Sequence, residues 1–242
     1  RILDLGVPLF RLSDARVRSF VEAWITGGSL VPWPGRVADW SDGLISFRDP
    51  DRDPRWTGSP LTAALLQEMA LGLPVVLEAT VLGAVRSEEH WLLTGPDGAI
   101  VRARALVLAM PLPQARRVVA DLPAPPDGND SCLVAAFDDA EGILPYPALA
   151  PAASDQALAC YVHGDPLLSL IVRRPGRPTV VHASESWSRP RLDQAPDVWP
   201  AELAVALASK FACTPPTVVH AHRWTFADRK STRLNSSHAN IS

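Results

Sequence analysis

Residues 73–120 constrain the fold more than any other part of the chain. Val75-Val76-Leu77-Glu78-Ala79-Thr80-Val81-Leu82 is mostly apolar and partly β-branched, which predicts a strand. Glu89-His90-Trp91-Leu92-Leu93 predicts a second strand, and Gly95-Pro96-Asp97-Gly98 a hairpin turn. The return strand, Ile100 to Ala105, alternates small apolar and charged residues. It runs straight into Leu106-Val107-Leu108-Ala109, a continuous apolar run that suits a strand buried on both faces of a parallel sheet. Met110-Pro111-Leu112-Pro113 ends that run, and Gln114 to Asp121 predicts a short helix. A β-meander feeding a doubly covered parallel strand places the chain in the α/β class.

The flanks interleave helical and β-rich material with this segment. Leu9 to Gly28 begins extended and becomes a helix. Ser13 is its predicted cap, with Val17, Phe20, Val21, Trp24 and Ile25 on one face. Leu30 to Gly58 is predicted to be loop-rich. Its Trp33, Trp40, Phe47 and Trp56 are aromatics of the kind that pack over a pocket or a domain seam. Ser59 caps a second predicted helix, with Pro60 first and Leu61, Leu65, Leu66 and Met69 inward, closed by Gly72. A Pro-rich link, Leu122 to Gly128, leads to a β-rich half. There Cys132–Asp138, Leu167–Arg173, Thr179–Ser184 and Thr217–Phe226 are predicted strands, and Val198–Phe211 a helix stopped by Thr214-Pro215-Pro216. The expected organisation is therefore four segments, 1–74, 75–121, 122–227 and 228–242, with two domains each built from discontinuous pieces.

Composition excludes several classes. Hydrophobic content of 47% and charged content of 20% are globular values. A formal net charge of −3 with scattered arginines argues against a nucleic-acid surface, and no apolar run is long enough to span a membrane as a helix. The three cysteines, Cys132, Cys160 and Cys213, are widely spaced and read as small buried side chains in a reducing cytoplasm. Asp228 to Ser242 differs in composition: it holds Lys230, Asn235 and Asn240, while Lys210 and Asn129 are the only Lys and Asn before it. It is expected to be a disordered, foreign tail, similar to translated adapter read-through. Arg1, with no initiator Met, reads as the start of an internal fragment.

In the last predicted strand Val218, His220, His222, Trp224 and Phe226 point one way, and Val219, Ala221, Arg223 and Thr225 the other. His220-x-His222 has the spacing to begin a metal site, but no acidic residue lies nearby, so no metal is expected. Trp224 reads equally as a packed residue or as a site residue, and His182 first as a hydrogen-bonded structural residue and second as a site residue. Arg177 reads as a surface charge or as the partner of an acidic group or a phosphate. No G-x-S-x-G, P-loop or H-E-x-x-H is present, so hydrolase and kinase chemistry has no support.

Five motifs then occur in order. They are Leu3-Asp4-Leu5-Gly6 to Phe10, and Trp56-Thr57-Gly58-Ser59-Pro60-Leu61; Arg102 to Ala115, ending Ala109-Met110-Pro111-Leu112-Pro113-Gln114-Ala115; Arg174-Pro175-Gly176-Arg177-Pro178 followed by Val180 to Ser188; and Ala221-His222-Arg223-Trp224-Thr225-Phe226-Ala227. Together they resemble the renalase-like bacterial branch of the flavin amine-oxidase superfamily. The resemblance implies a partial FAD/NAD(P)-binding Rossmann-type domain with a β-rich substrate domain, and FAD as cofactor in the intact parent. It implies hydride transfer to flavin from a small amine or a dihydronicotinamide-like compound, with an NAD(P)-related partner. On this reading Trp224 is an aromatic wall beside the flavin or substrate, His222 shares its strand face, and His182 sits in the strongest motif. Backbone at Val81 meets the adenine, and Ala109 and Pro111 lie close to the cofactor. Where the family has His, Gln and Tyr this chain has Leu5, Pro8 and Leu9, which favours a rival reading: a flavin-free, non-catalytic binding domain. No G-x-G-x-x-G occurs in the 242 residues, so the chain as written is expected to bind FAD poorly and to be inactive.

Overall fold

Sequence alternation becomes layer structure most directly in β8, Asp130–Asp138. Leu133, Ala135 and Phe137 point to one face of a sheet and Val134 and Ala136 to the other, and all five are fully buried. A strand covered on both faces needs this near-continuous apolar run. The computed structural model describes residues 3–120, 130–138 and 157–227. The predicted link at 122–128 and the tail at 228–242 lie outside them. The described residues fall in two units: those up to Pro74 with Cys132 to Trp224, and those from Val75 to Ser131 with Thr225 onward.

The first unit begins with a segment at residues 3–10. Two short helices follow, α1 (Ala15–Phe20) and α2 (Glu22–Thr26), then strands β1 (Leu30–Pro32), β2 (Arg36–Ser41), β3 (Leu44–Phe47) and β4 (Trp56–Gly58), then α3 (Thr62–Met69). Later come β9 (Leu158–His163), β10 (Leu168–Arg173), β11 (Thr179–Ala183), α5 (Glu185–Ser188), α6 (Val198–Phe211) and β12 (Thr217–Ala227). Seven strands form one sheet in the order β12-β8-β11-β10-β9-β2-β3. The pairs β8–β11, β10–β11, β9–β10 and β2–β3 are antiparallel, and β2 runs parallel to β9, so the sheet is mixed. Helix α6 lays Trp199, Leu203, Ala204 and Leu207 on one face, against Leu133, Phe137, Ile171 and Val181. The other face is covered by Leu3, Leu5 and Leu9 of the N-terminal segment and by Trp33, over Val134, Ala136, Leu170, Val172 and Val180.

The second unit carries a three-stranded antiparallel meander, β5 (Gly83–Arg86), β6 (Trp91–Gly95) and β7 (Gly98–Ala103), followed by α4 (Leu112–Val118). The predicted hairpin is present: Gly95 pairs with Gly98 across Pro96-Asp97.

Several expectations change. The cap of α1 is Asp14, which accepts from the Arg16 N–H, and not Ser13; the helix breaks at Val21, leaving Val17 and Phe20 exposed. The loop-rich stretch at Leu30–Gly58 contains β1 to β4, whose β-branched and aromatic residues outweigh their Pro and Gly neighbours. Its Trp33 and Trp56 are buried packing residues. Helix α3 starts at Thr62, two residues after Pro60, because the capping carboxylate comes from Asp4 and not from Ser59. Helix α4 lies two to three residues earlier than predicted. Neither Val75–Leu82 nor Leu106–Ala109 is a strand: no ladder partner lies beside them among the described residues, and Val107 is 87% exposed. Val218 and Ala221 of β12 both pack toward the α6 core, so strict alternation does not run through residues 218–221.

Candidate functional site

Beside the N-terminal segment, two chemistry-bearing side chains of the first unit come together. On β12 the rings of His222 and Trp224 meet edge to face, with centroids 4.3 Å apart and planes at 60°. This is the attractive aromatic geometry, in which a ring edge meets a neighbouring π-face. The Trp224 indole Nε1–H donates to the Leu5 carbonyl at 3.2 Å. Gly6, next in the chain, lies beside the indole; a Cβ there would sit 3.7 Å from the Trp224 ring, an ordinary contact distance. Trp224 stays 39% exposed, so the pair forms an anchored aromatic surface open to a guest. Burial first, and the neighbouring His220 second, push the His222 imidazole below its ordinary value, so at neutral pH it is the uncharged form that faces outward.

His182 is not part of this contact, although its register with Val134 and Leu170 puts it on the sheet face that the N-terminal segment covers. It is the penultimate residue of β11, opposite Val134 of β8 and Leu170 of β10, and is 5% exposed. Its Nδ1 lies 3.9 Å from the Cys132 Sγ, and the Cys132 thiol approaches the Ala183 carbonyl at 3.4 Å. Of the three residues expected to be catalytic, His222 and Trp224 are in contact and His182 is a buried neighbour of Cys132. The three residues expected at the cofactor all lie in the second unit. Val81 lies outside any helix or strand, one residue before Leu82, whose N–H donates to the Thr94 carbonyl. Ala109 is exposed, and Pro111 caps α4, its carbonyl accepting from Gln114 and Ala115.

Two polar networks escaped the sequence reading. In the first, Asp4 and Arg174 form a buried ion pair at 3.1 Å, with side chains 8% and 14% exposed. Asp4 also accepts the Thr62 N–H, and Arg174 donates to the Pro8 carbonyl and to the Thr57 hydroxyl, each at 3.0 Å. Burial pushes the Arg174 guanidinium down and Asp4 opposes that shift. Leu3, Asp4, Pro8, Leu61, Val172, Arg174, Arg177, Pro178 and Val180 line a small pocket here, of about 20 Å³, room for one water. In the second network, Arg48 holds Asp39 in a two-pronged pair, both contacts at 2.6 Å, and His163 Nε2 reaches the same carboxylate at 2.7 Å. Asp53 ties together Arg11, Arg48 and Arg55, and the Arg48 guanidinium lies 4.8 Å from the Tyr161 ring centre. Arg48 first, opposed by burial, and then His163 keep the Asp39 carboxyl below its ordinary value; Arg11 chiefly does so for Asp53. The only signal for the first network was Asp4 and Arg174 standing in two separate motifs. Among the described residues no group of three His, Cys, Asp or Glu side chains is placed to hold a metal, and no helix is long and apolar enough to cross a membrane.

The same architecture recurs in solved structures. CtdE, solved in complex with FAD and a substrate, is similar over 93% of this chain and 60% of its own, at 11% identity and a TM-score of 0.57. The p-nitrophenol 4-monooxygenase PnpA of Pseudomonas putida is similar over 91% and 58%, at 15% identity and a TM-score of 0.59. A putative FAD-containing monooxygenase of Photorhabdus luminescens is similar over 92% and 66%, at 12% identity and a TM-score of 0.53. The chain shares its fold with these proteins. The chain spans about three-fifths of the length of the flavoproteins it matches. No protein-family profile matches the sequence.

Proposed function

We propose that the chain is part of an FAD-dependent oxidoreductase in which Trp224 and His222 line the side where a flat substrate meets the flavin. The observation that carries this is the anchored, half-open indole–imidazole pair on β12 of a fold shared with flavoproteins. When bound, FAD supplies a two-electron acceptor for a hydride leaving the substrate. The chain's own residues bind and orient. Trp224 offers a π-face against which a planar substrate stacks, and its tether to Leu5 fixes the tilt. His222, held neutral by burial and by His220, accepts or donates one hydrogen bond without placing a charge beside an apolar ring. In the second unit, backbone at Val81, Ala109 and Pro111 is assigned to the cofactor. That assignment rests on backbone groups alone, and neither Val81 nor Ala109 lies in a helix or a strand. The phosphate cradle is not among the 242 residues, which contain no G-x-G-x-x-G.

The substrate we propose is a small amine or a dihydronicotinamide-like compound, following the His-Ala-Ser, Trp-Ser and His-Arg-Trp motifs. A second reading, oxygen insertion into an aromatic ring, is favoured by the fold likeness to p-nitrophenol 4-monooxygenase. Product analysis in the flavin-loaded parent separates them: stoichiometric hydrogen peroxide supports the oxidase, and a hydroxylated product the monooxygenase. The site itself is tested by Trp224→Phe, which keeps most of the packing. Turnover should fall at least tenfold with little change in Tm. An unchanged kcat/KM and flavin spectrum with a lowered Tm would make Trp224 a packing residue only.

A further inference from the structure

We propose that Asp4 and Arg174 are positioning residues that set the place of Trp224 through the backbone of the N-terminal segment. The inference rests on the reading of Trp224 given above and extends it to residues that never touch the indole. The segment is pinned on both sides of the Trp224 contact. Before it, the Asp4 carboxylate is held by Arg174 Nη2 at 3.1 Å and by the Thr62 N–H at 3.1 and 3.2 Å. After it, the Pro8 carbonyl accepts from Arg174 Nη2 at 3.0 Å and from the Thr57 hydroxyl at 2.8 Å. Between these pins lie Leu5, whose carbonyl accepts the Trp224 Nε1–H, and Gly6, which lies against the indole edge.

One guanidinium thus grips the segment at positions 4 and 8. Three residues separate the two pins, so the chain between them has little freedom to move the Leu5 carbonyl. The grip is itself fixed. Arg174 lies 5.2 Å from the Trp33 ring centre, and Thr57 is buried on β4. The contacts to Asp4 and to the Pro8 carbonyl both run through one nitrogen, Nη2, which the rigid guanidinium plane holds in place, whereas a lysine ammonium rides on a flexible stem. Charge-assisted bonds between groups this buried are the strong kind, and losing one partner leaves the other unmatched in a dry place. The Leu5 carbonyl, and with it the tilt of the indole, should therefore respond to changes at Asp4 and Arg174.

The test follows the Trp224 indole Nε1–H by NMR in the full chain, its resonance identified by its loss in Trp224→Phe. Asp4→Asn keeps the shape and the Thr62 contact but removes the charge; Arg174→Met removes every donor. Each should raise indole exchange at least tenfold and shift the resonance, while the Val181 amide in the central sheet is unmoved. Arg174→Lys should recover part of the protection. Thr57→Val, which removes only a hydroxyl, gives a milder change in the same direction and keeps the test open if Arg174→Met does not fold. Indole exchange that changes no more than Val181 exchange in all these variants overturns the proposal. The readout needs no turnover: if the exchange responds but Trp224→Phe leaves catalysis of the parent intact, the tether stands and the site reading fails.

Discussion

Gly35 shows how one residue can hold two strands in place. It precedes β2, and a Cβ on it would lie 1.8 Å from the Ala157 carbonyl oxygen, which accepts the Arg36 N–H at 2.9 Å at the start of the parallel β2–β9 pair. Backbone, not a flexible side chain, occupies the space, so relief requires the strands to part. Gly35→Ala is expected to cost about 2 kcal/mol or more, seen as a lower denaturation midpoint at unchanged slope; an unaltered midpoint would mean that the two backbones are not in contact. Cys160 behaves differently from the other thiols. Burial pushes it up to about 12, whereas Cys132 and Cys213 are half-buried. A maleimide at pH 7.5 should label two thiols quickly in the folded chain and the third only on unfolding; fast labelling of Cys160 would contradict its burial. At this scale the sequence was legible where neighbours in sequence are neighbours in space. His222 and Trp224 two residues apart on a strand were readable as a pair. Asp4 with Arg174, and Asp39 with His163, were not, because their partners lie more than a hundred residues away and only the folded sheet brings them together.

Among the elements, α6 was legible because Leu203, Leu207 and Phe211 repeat at helical spacing, and β8, β10 and β11 because their apolar runs need cover on both faces. β2 and β3 were hidden among Pro, Gly and Asp, and β9 was passed over. Leu106–Ala109 was misread for a physical reason: an apolar run describes what a segment can bury, and whether it is a strand depends on a ladder partner. Element ends also depend on remote groups. The Leu133 N–H of β8 is not satisfied by the strand ladder alone. It donates to the Ser188 hydroxyl at 3.1 Å, and that hydroxyl donates to the Ser184 carbonyl at 2.6 Å. Ser188 is fully buried, so no water replaces it. Ser188→Ala should cost about 1–3 kcal/mol, and the Leu133 amide should exchange faster. Ser188→Thr retains the hydroxyl and should recover much of the loss if the added methyl is accommodated. A Ser188→Ala protein as stable as the parent sequence would show that the hydroxyl links nothing.

For the molecule as a whole, the α/β class was legible; the mixed order β12-β8-β11-β10-β9-β2-β3 was not, since only pairing in space defines it. That order has a consequence for pH. The parallel joint between β2 and β9 is tied by Asp39 to Arg48 and His163, and Asp53 gathers Arg11, Arg48 and Arg55 beside it. Both carboxyls are held below their ordinary value. A group whose folded pKa is depressed contributes stability above its unfolded pKa, about 3.9 for Asp, and loses it as pH falls through the folded value. The contribution is therefore whole at neutral pH and is lost progressively below about pH 4. Because both carboxylates are partly open to solvent, salt should weaken the effect. Urea midpoints measured from pH 7 to pH 2 should hold down to about pH 4 and then fall. Asp39→Asn should start lower and fall less, since it removes one of the groups that must be protonated. If Asp39→Asn lost stability in parallel with the unmodified chain over the whole range, the acid sensitivity would reside in other carboxyls and the Asp39–Arg48 joint would contribute packing alone.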